Sequence, residues 1–278
     1  MRELLKTRVA EMLREGRVDG VVGLIESHGE PLPYLFTADD TAALERISTG
    51  ELQGRLAELI PGVVRYPLGK ILTAVARKHP DKRFGVMCRA CDERVVFGLF
   101  QNLQLDPDKV EILGLPCKEE LARACSCPAP APRSAIVDQP SREAWDRADL
   151  ERIDAMALDE RFAFWVEELG RCIKCYGCRN ACPVCFCDVC TLQDDGLVKK
   201  GEIPAELPAF QLTRAWHMVG RCVDCGLCQE ACPMDIPIRT IYRKVRSIVG
   251  ELFDYFPGER DGGKSPLEQL GDGSFPIQ

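Results

Sequence analysis

The sequence predicts a chain of mixed α+β and α/β class, with an N-terminal α/β domain built on a small parallel sheet, a helical linker and a cysteine-rich C-terminal domain. Three observations lead to this prediction. Helix-like and strand-like segments alternate over the first 132 residues. The stretch CSCPAPAPRSA (125–135) cannot be helical, because each proline lacks a backbone donor and clashes with the preceding turn. Beyond it, one cysteine motif occurs twice, 50 residues apart.

The α/β prediction depends on hydrophobic periodicity. RELLKTRVAEMLREG has Leu5, Val9 and Met12 at helical spacing, and Gly16 is a suitable helix end. The segments that follow are predicted as a strand in VDGVVGLIE, a helix over 66–80, a strand over 83–87, a helix over 92–103 and a strand over 110–115. The last three form a strand–helix–strand unit, whose strands should be parallel.

The repeated motif indicates iron–sulfur clusters. RCIKCYGCRNACP (171–183) and RCVDCGLCQEACP (221–233) are identical at seven of thirteen positions, and each follows the pattern C-x2-C-x2-C-x3-C-P. In two-cluster ferredoxins the fourth cysteine of each such run binds the other cluster. We therefore predict a two-cluster bacterial ferredoxin-like domain with two 4Fe-4S clusters. The ligands of one are Cys172, Cys175, Cys178 and Cys232, and those of the other are Cys222, Cys225, Cys228 and Cys182. A structural zinc site is the alternative, but four-coordinate zinc would leave the third cysteine of each run unused.

Eight further cysteines are candidate ligands of one or two additional 4Fe-4S clusters. Cys88 and Cys91 follow one predicted strand, Cys117 follows the next, and Cys125 and Cys127 come after a short helix. The carboxyl edge of a parallel sheet is where such folds bind ligands, so these five thiols are predicted to converge there, with Cys117 the leading candidate. The alternative is buried free thiols, which are common in protein cores. Cys185, Cys187 and Cys190 form C-x-C-x2-C directly after the first run, and the sequence leaves their partition open.

Composition excludes several classes of function. The formal net charge is −7 with no long basic run, so nucleic acid is not an expected partner. No stretch of 18 apolar residues occurs, so no membrane span is expected. Sixteen cysteines behind a charged N-terminal segment without a signal-like apolar core favour metal binding in the cytoplasm over disulfides. The predicted domains are an α/β domain over 1–132, a helical linker over 133–165, a dicluster domain over 166–258 and a loose tail over 259–278.

RCIKCYGCRNACPVCFCDVC followed by CVDCGLCQEACPMDIPI resembles the C-terminal part of the beta subunits of deazaflavin-linked formate dehydrogenases and deazaflavin-reducing hydrogenases. A weaker resemblance covers RVDGVVGLIE and the segment from Tyr66 to Cys117. In that family the α/β domain carries FAD, the deazaflavin site and an iron–sulfur cluster. The present chain lacks the family's glycine-rich opening and its long middle segment, so we expect no tightly bound FAD.

The resemblance implies an electron-transfer subunit of a cytoplasmic redox complex. Its implied partners are a catalytic formate dehydrogenase or hydrogenase subunit and a heterodisulfide-reductase-like flavoprotein. The alternative is a flavin-containing oxidoreductase subunit that itself reduces or oxidises a deazaflavin carrier.

A basic helix is predicted after the second cysteine run, over 235–258. Its apolar residues Ile241, Val245, Ile248 and Leu252 recur at helical spacing and are expected to pack on the domain. Its basic residues Arg239, Arg243, Lys244 and Arg246 are then expected to face outward. They would either steer an acidic redox partner or form an ordinary solvated face.

Overall fold

The computed structural model describes residues 1–50, 65–127, 129–137, 147–259 and 265. The chain divides into two compact units, Met1–Trp145 and Asp146–Gln278. The first holds the sheet and the second holds both cysteine runs. The finer boundaries at residues 132, 165 and 258 stay predictions, and almost all of the predicted loose tail lies outside the described residues.

The sheet of the first unit is mixed. Its five strands are β1 (Gly20–Ser27), β2 (Glu30–Phe36), β3 (Ile47–Ser48), β4 (Phe84–Cys88) and β5 (Val110–Gly114). Strands β1, β4 and β5 are parallel neighbours, as predicted, but β2 and β3 both pair antiparallel with β1. The prediction of a purely parallel sheet was therefore wrong.

The error has a local cause in the turn between β1 and β2. His28 and Gly29 both adopt positive φ angles, 53° and 83°, as a two-residue hairpin turn with the twist of the flanking strands requires. The hairpin adds an antiparallel strand to the outside of β1, with Gly23 opposite Tyr34. Pro31 and Pro33 in β2 suit an edge position, because proline cannot donate to a further strand.

Helices cover the sheet of the first unit. Helix α1 buries Leu5, Val9 and Met12, and the chain leaves it through Gly16 at a φ of 64°. The helix within the predicted strand–helix–strand unit connects β4 to β5 as expected. The helices of this unit are α1 (Arg2–Arg14), α2 (Thr41–Leu44), α3 (Leu68–Lys78), α4 (Ala90–Gln101), a 3₁₀ turn (Pro107–Lys109) and α5 (Glu119–Ala124).

The connector after α5 is tied to the end of β5 and to α4. Gly114 pairs with Ala135 in an isolated parallel bridge. The buried carboxylate of Glu93 accepts hydrogen bonds from the backbone N–H groups of Arg133 and Ser134, at 2.7 and 2.8 Å. One side chain thus satisfies two backbone donors in a segment that forms no helix.

The second unit is helical, with loops that carry the cysteines. Its helices are α6 (Ala148–Asp154), α7 (Leu158–Gly170), α8 (Gly177–Asn180), a 3₁₀ turn (Thr191–Gln193), α9 (Ala209–Trp216), α10 (Leu227–Glu230) and α11 (Ile238–Phe253). Helix α6 and the first part of α7 fall within the predicted helical linker over 133–165, of which residues 138–146 lie outside the described residues. Helix α11 packs against α6, α9 and α10. In the part of the chain that the structure describes, no helix has the length and apolar character needed to cross a membrane.

The Glu93 contact predicts a stability difference between two glutamates of the first unit. Glu93→Gln keeps the side-chain shape but replaces one acceptor oxygen by an NH₂ group that faces a backbone N–H. We expect it to lower the free energy of unfolding by about 1–3 kcal/mol, the cost of an unmet buried hydrogen bond. Glu119→Gln is the matched control, because Glu119 forms only an exposed pair with Arg123 and should change stability by about 0–1 kcal/mol. Equal losses in urea unfolding would contradict this role for Glu93.

Candidate functional site

The two cysteine runs adopt the same local structure, 50 residues apart. In each run the residues on either side of the second cysteine have left-handed backbones, and a one-turn helix follows. The left-handed residues are Lys174 and Tyr176 in the first run, at φ 51° and 59°, and Asp224 and Gly226 in the second, at φ 54° and 80°. These turns curl the chain so that successive cysteines line the inside of one loop.

The two runs touch through their one-turn helices, α8 and α10. A Cβ atom at Gly177 would lie 2.5 Å from the carbonyl oxygen of Ala231, which is closer than real Cβ contacts allow. Glycine therefore permits the backbones to meet at this point. Because Ala231 precedes Cys232, the contact brings the last cysteine of the second run to the first run.

A cavity lies where the first run meets Cys232. Its wall includes Cys172, Cys175, Cys178 and Cys232, the four cysteines that the sequence predicts as one ligand set. Cys175 is exposed and the other three are half-buried. The rest of the wall is largely apolar and includes Phe210, Ile236 and Tyr242. Four thiols around one apolar-walled space match the donor set of a 4Fe-4S cluster, so the residues present fit that group.

The other predicted ligand set is more deeply buried. Cys182 and Cys228 are both 8% exposed. Burial, followed by the charge of Asp224, raises the pKa of the Cys222 thiol to about 12. Burial also raises the pKa of Cys228, and neighbouring thiols add to the effect. These neighbours are Cys225, Cys222, Cys182 and Cys178. The predicted second set is thus brought together, and Cys178 places the first set beside it.

The raised thiol pKa values bear on how the sites are filled. Burial raises the pKa of Cys172 and of Cys178, as it does in the second set. In the metal-free chain these thiols are therefore protonated at neutral pH, whereas metal ligation requires thiolates. Filling either site must release protons, so the affinity for iron should rise with pH.

Two of the three cysteines of C-x-C-x2-C, Cys187 and Cys190, have separate surroundings, and Cys185 lies near Arg214. Cys187 is exposed, and its sulfur lies 3.7 Å from Nη1 of Arg221, whose guanidinium stacks on Phe186. Cys190 packs instead against a small apolar cluster formed by Leu192, Val198, Ala205 and Phe210. Among the described residues, no three His, Cys, Asp or Glu side chains are arranged to hold a single metal ion.

Thiols also gather at the carboxyl edge of the sheet in the first unit. Cys88, Cys91, Cys117 and Cys127 are buried and Cys125 is half-buried. Cys127 is close enough to Cys91 and to Cys117 for its charge to raise the pKa of both, after the larger effect of burial. For Cys91 the pKa reaches about 12. Four of the five predicted thiols are therefore connected neighbours, since Cys91 also adjoins Cys88.

Arginines surround this thiol group, and the sequence analysis missed them. Arg94 Nη2 lies 3.7 Å from the sulfur of Cys127, and Arg65 Nη1 lies 3.9 Å from that of Cys91. Arg89 is close enough to Cys117 to oppose the rise in its pKa. The sequence positions of Arg89, directly after Cys88, and of Arg94, about one helical turn after Cys91, could have indicated this. Guanidinium groups stabilise thiolates, and here Arg65 and Arg94 partly oppose the rise that burial and the nearby Asp92 cause in the pKa of Cys91.

Helix α11 does not present the predicted basic face. Arg239, Arg243 and Arg246 point into the unit, with side-chain exposures of 16%, 4% and 6%. Ile248 and Leu252, expected to pack inward, are 42% and 70% exposed. The sequence analysis placed these arginines on an outer face, either to steer a partner or as an ordinary solvated surface, and both predictions were wrong for them. Only Lys244 stays on the surface, in a pair with Asp154.

Carboxylates on the packed side explain the reversal. Arg239 Nε lies 2.6 Å from Asp224, the residue directly before Cys225. Arg243 lies 2.6 Å from Asp149 and 3.5 Å from Asp224. Buried charges need such partners. The arginines thus connect α6, α11 and the loop of the second cysteine run.

Comparison with known proteins is consistent with this site. Residues 168–236 match the family described as the 4Fe-4S dicluster domain. This match confirms the predicted pair of 4Fe-4S clusters. The chain is also similar to the F420-dependent formate dehydrogenase subunit beta of Methanocaldococcus jannaschii, 44% identical over 103 residues. With the F420-dependent formate dehydrogenase 1 subunit beta of Methanococcus maripaludis it is 46% identical over 114 residues.

These two similarities confirm the resemblance found in the sequence, and they are partial. They cover 37% and 41% of this chain, and 27% and 28% of the relatives. The match thus spans little more than a quarter of the length of each relative.

The charge network of α11 predicts unequal effects for two adjacent basic residues. Arg243→Ala should lower the free energy of unfolding by about 1–3 kcal/mol, because it removes a buried partner of Asp149 and one of the two arginines beside the buried Asp224. Lys244→Ala removes only an exposed pair and should cost about 0–1 kcal/mol. Urea unfolding of the cluster-loaded chain, with iron counted before the titration, measures both values. A surface role for Arg243 would instead give two small and similar losses.

Proposed function

We propose that this chain is an iron–sulfur electron-transfer subunit of a cytoplasmic redox complex. The observation that carries the proposal is the pair of adjoining cysteine sets, each with four thiols, in a unit that matches a dicluster domain. The two similar proteins are named as beta subunits of F420-dependent formate dehydrogenases, which favours a catalytic dehydrogenase or hydrogenase subunit as one partner. A heterodisulfide-reductase-like flavoprotein is the proposed partner on the other side.

In this proposal Cys172, Cys175, Cys178 and Cys232 hold one 4Fe-4S cluster. The support is the cavity that these four residues line together. The close approach of Gly177 to Ala231 supports the contribution of Cys232 from the other run, because it joins the two loops at this point.

Cys182, Cys222, Cys225 and Cys228 hold the second cluster. The support for this second set is that its cysteines are buried and lie close to one another. Val223, 1% exposed, and Met218, whose sulfur lies 3.7 Å from that of Cys182, are also buried around this set. These apolar side chains exclude water, which lowers the local dielectric and strengthens every charge interaction at the site.

A bound 4Fe-4S cluster accepts and releases single electrons, with a potential set by net charge, hydrogen bonding and solvent exposure. The two sites lie next to each other, and they differ in how far the surrounding residues shield them from solvent. The first set includes the exposed Cys175, whereas both Cys182 and Cys228 of the second set are buried. We therefore propose that electrons leave or enter the protein on the side of Cys175.

A third centre is proposed at the sheet edge of the first unit, with Cys88, Cys91, Cys117 and Cys127 as ligands and Cys125 as a further candidate. The convergence of buried thiols supports it, and so do the guanidinium groups of Arg65 and Arg94 beside them. The cations compensate the negative charge that four thiolates bring into a buried site.

One preparation tests the electron-transfer proposal. The chain is purified alone under anaerobic conditions, and iron, zinc and flavin are counted in the same sample. We expect at least eight irons per chain and no stoichiometric FAD. Stoichiometric zinc with little iron would contradict the two clusters. One FAD per isolated chain would favour the alternative, a flavin-containing subunit that acts on a deazaflavin carrier.

A serine variant tests the first ligand set. Cys175→Ser replaces a thiolate ligand by a hydroxyl group, so it should reduce the iron content by up to four atoms per chain or change the spectrum of one cluster. Cys187→Ser is the matched control, since Cys187 is also exposed but lies outside both proposed sets. Equal iron content and unchanged spectra in both variants would remove Cys175 from the ligands.

The third centre predicts iron beyond the two clusters. Cys117→Ser should lower the iron count from about twelve to about eight per chain and leave the signals of the dicluster domain unchanged. If the parent holds only eight irons, the thiols at the sheet edge are free. Titration of Cys91 by an alkylating reagent would then show a pKa near 12 instead of protection by metal.

A further inference from the structure

The cavity lined by the first cysteine set has two polar side chains in its otherwise apolar wall. Gln211 and Arg214 both line it, together with Cys172 and Cys178. They lie three residues apart on α9, so they share one face of that helix. Their exposures are 4% and 3%, although glutamine and arginine are rarely so buried unless they are paired.

These two side chains have unused hydrogen-bonding groups. Arg214 donates from Nη2 to the backbone carbonyl of Cys178 at 3.4 Å. Its Nε and both amide atoms of Gln211 have no close hydrogen-bond partner among the described residues, and the thiol of Cys172 is the group that the Gln211 amide approaches. A buried donor without a partner is costly, so such groups usually face a ligand or water. The cavity beside the cysteines is the space these groups border.

Gln211 and Arg214 lie near different cysteines. Gln211 acts on the first set, since its amide partly offsets the burial that raises the pKa of Cys172. Arg214 adjoins both sets, because Cys182 of the second set and Cys178 of the first both act on its guanidinium, as does Cys185. Its guanidinium also approaches the ring of Tyr242, at 5.8 Å from the centroid. One buried positive charge therefore faces both proposed clusters.

We infer that Gln211 and Arg214 set the reduction potentials of the proposed clusters. Gln211 donates a hydrogen bond to a sulfur of the first cluster, and Arg214 supplies a positive charge that acts on both clusters. The inference rests on the proposed function and deepens it. Reduction adds one electron, and hence one negative charge, to a cluster. A hydrogen-bond donor or a cation stabilises that reduced state more than the oxidised state, and so raises the potential.

The second site has a negatively charged side chain close to its cysteines, which the described part of the first site lacks. The carboxylate of Asp224 adjoins Cys222, although Arg239 and Arg243 partly neutralise it. The first site has the Gln211 donor and no carboxylate in its cavity wall. Arg246 also acts on Cys222, so charges of both signs surround the second cluster, and the titration decides which cluster has the higher potential.

An anaerobic potentiometric titration of the loaded chain, followed by EPR, tests the inference. The step altered by Cys175→Ser identifies the first cluster. At the potential where each cluster of the parent is half reduced, the ratio of reduced to oxidised cluster in Arg214→Met should be lower by at least about tenfold for both clusters. A tenfold change corresponds to a 59 mV lower midpoint potential for one electron. In Gln211→Leu it should fall by about threefold for the first cluster only.

Two further variants test whether the position of the positive charge matters, or whether any loss of charge in the unit shifts the potentials. Lys244→Met removes one positive charge from an exposed position of the same unit, and should leave both titration steps unchanged. Arg214→Lys keeps the buried charge and should shift both steps less than Arg214→Met does. Iron is counted in every sample, so that a shift is not confused with cluster loss.

Titration curves of Arg214→Met and Gln211→Leu that superimpose on the parent, with eight irons retained, would overturn the inference. If Arg214→Met loses iron, the neutral variant Arg214→Gln replaces it: equal shifts in Arg214→Gln and the charged Arg214→Lys overturn the role of Arg214. An unchanged first step in Gln211→Leu overturns the role of Gln211. Failure of the proposed function is distinct, since the parent itself would then lack eight irons.

Discussion

The contact between the two cysteine runs is the constraint on which the second unit depends. Each run forms a tight loop that ends in a one-turn helix, and these helices meet backbone to backbone where Gly177 faces the carbonyl oxygen of Ala231. A side chain at that position would separate the loops, and Cys232 would no longer reach the cavity beside Cys172. The position of the fourth cysteine, and hence the completeness of each proposed ligand set, follows from one close approach.

Buried arginines are the second common feature, and they occur beside thiols in both units. In the first unit Arg65 and Arg94 lie next to Cys91 and Cys127, and in the second unit Arg214 adjoins both ligand sets. Cysteine ligands must be anionic, and anions in a buried site need compensation. The guanidinium group remains charged at any physiological pH, so it supplies that compensation without titrating.

Helix α11 uses the same principle for a different purpose. Its arginines neutralise Asp149 and Asp224, and through Asp224 they fix the loop between Cys222 and Cys225. Thr240 adds a hydrogen bond from its hydroxyl to Asp149 at 2.9 Å. The loop that holds the second set is therefore supported from behind by a charge network, whereas the first set is backed by the neutral and cationic side chains of α9.

The sequence by itself determined the cysteine spacing, the repeat and the strand–helix–strand unit, because these are local: a run of cysteines curls within thirteen residues, and helical or strand periodicity appears within a few turns. The tertiary structure decided the rest. The hairpin through His28 and Gly29 made the sheet mixed, and carboxylates distant in sequence turned Arg243 and Arg246 inward. Gln211 and Arg214 gave no sequence signal, since a polar residue is recognised as part of a site only once the fold places it against the cysteines.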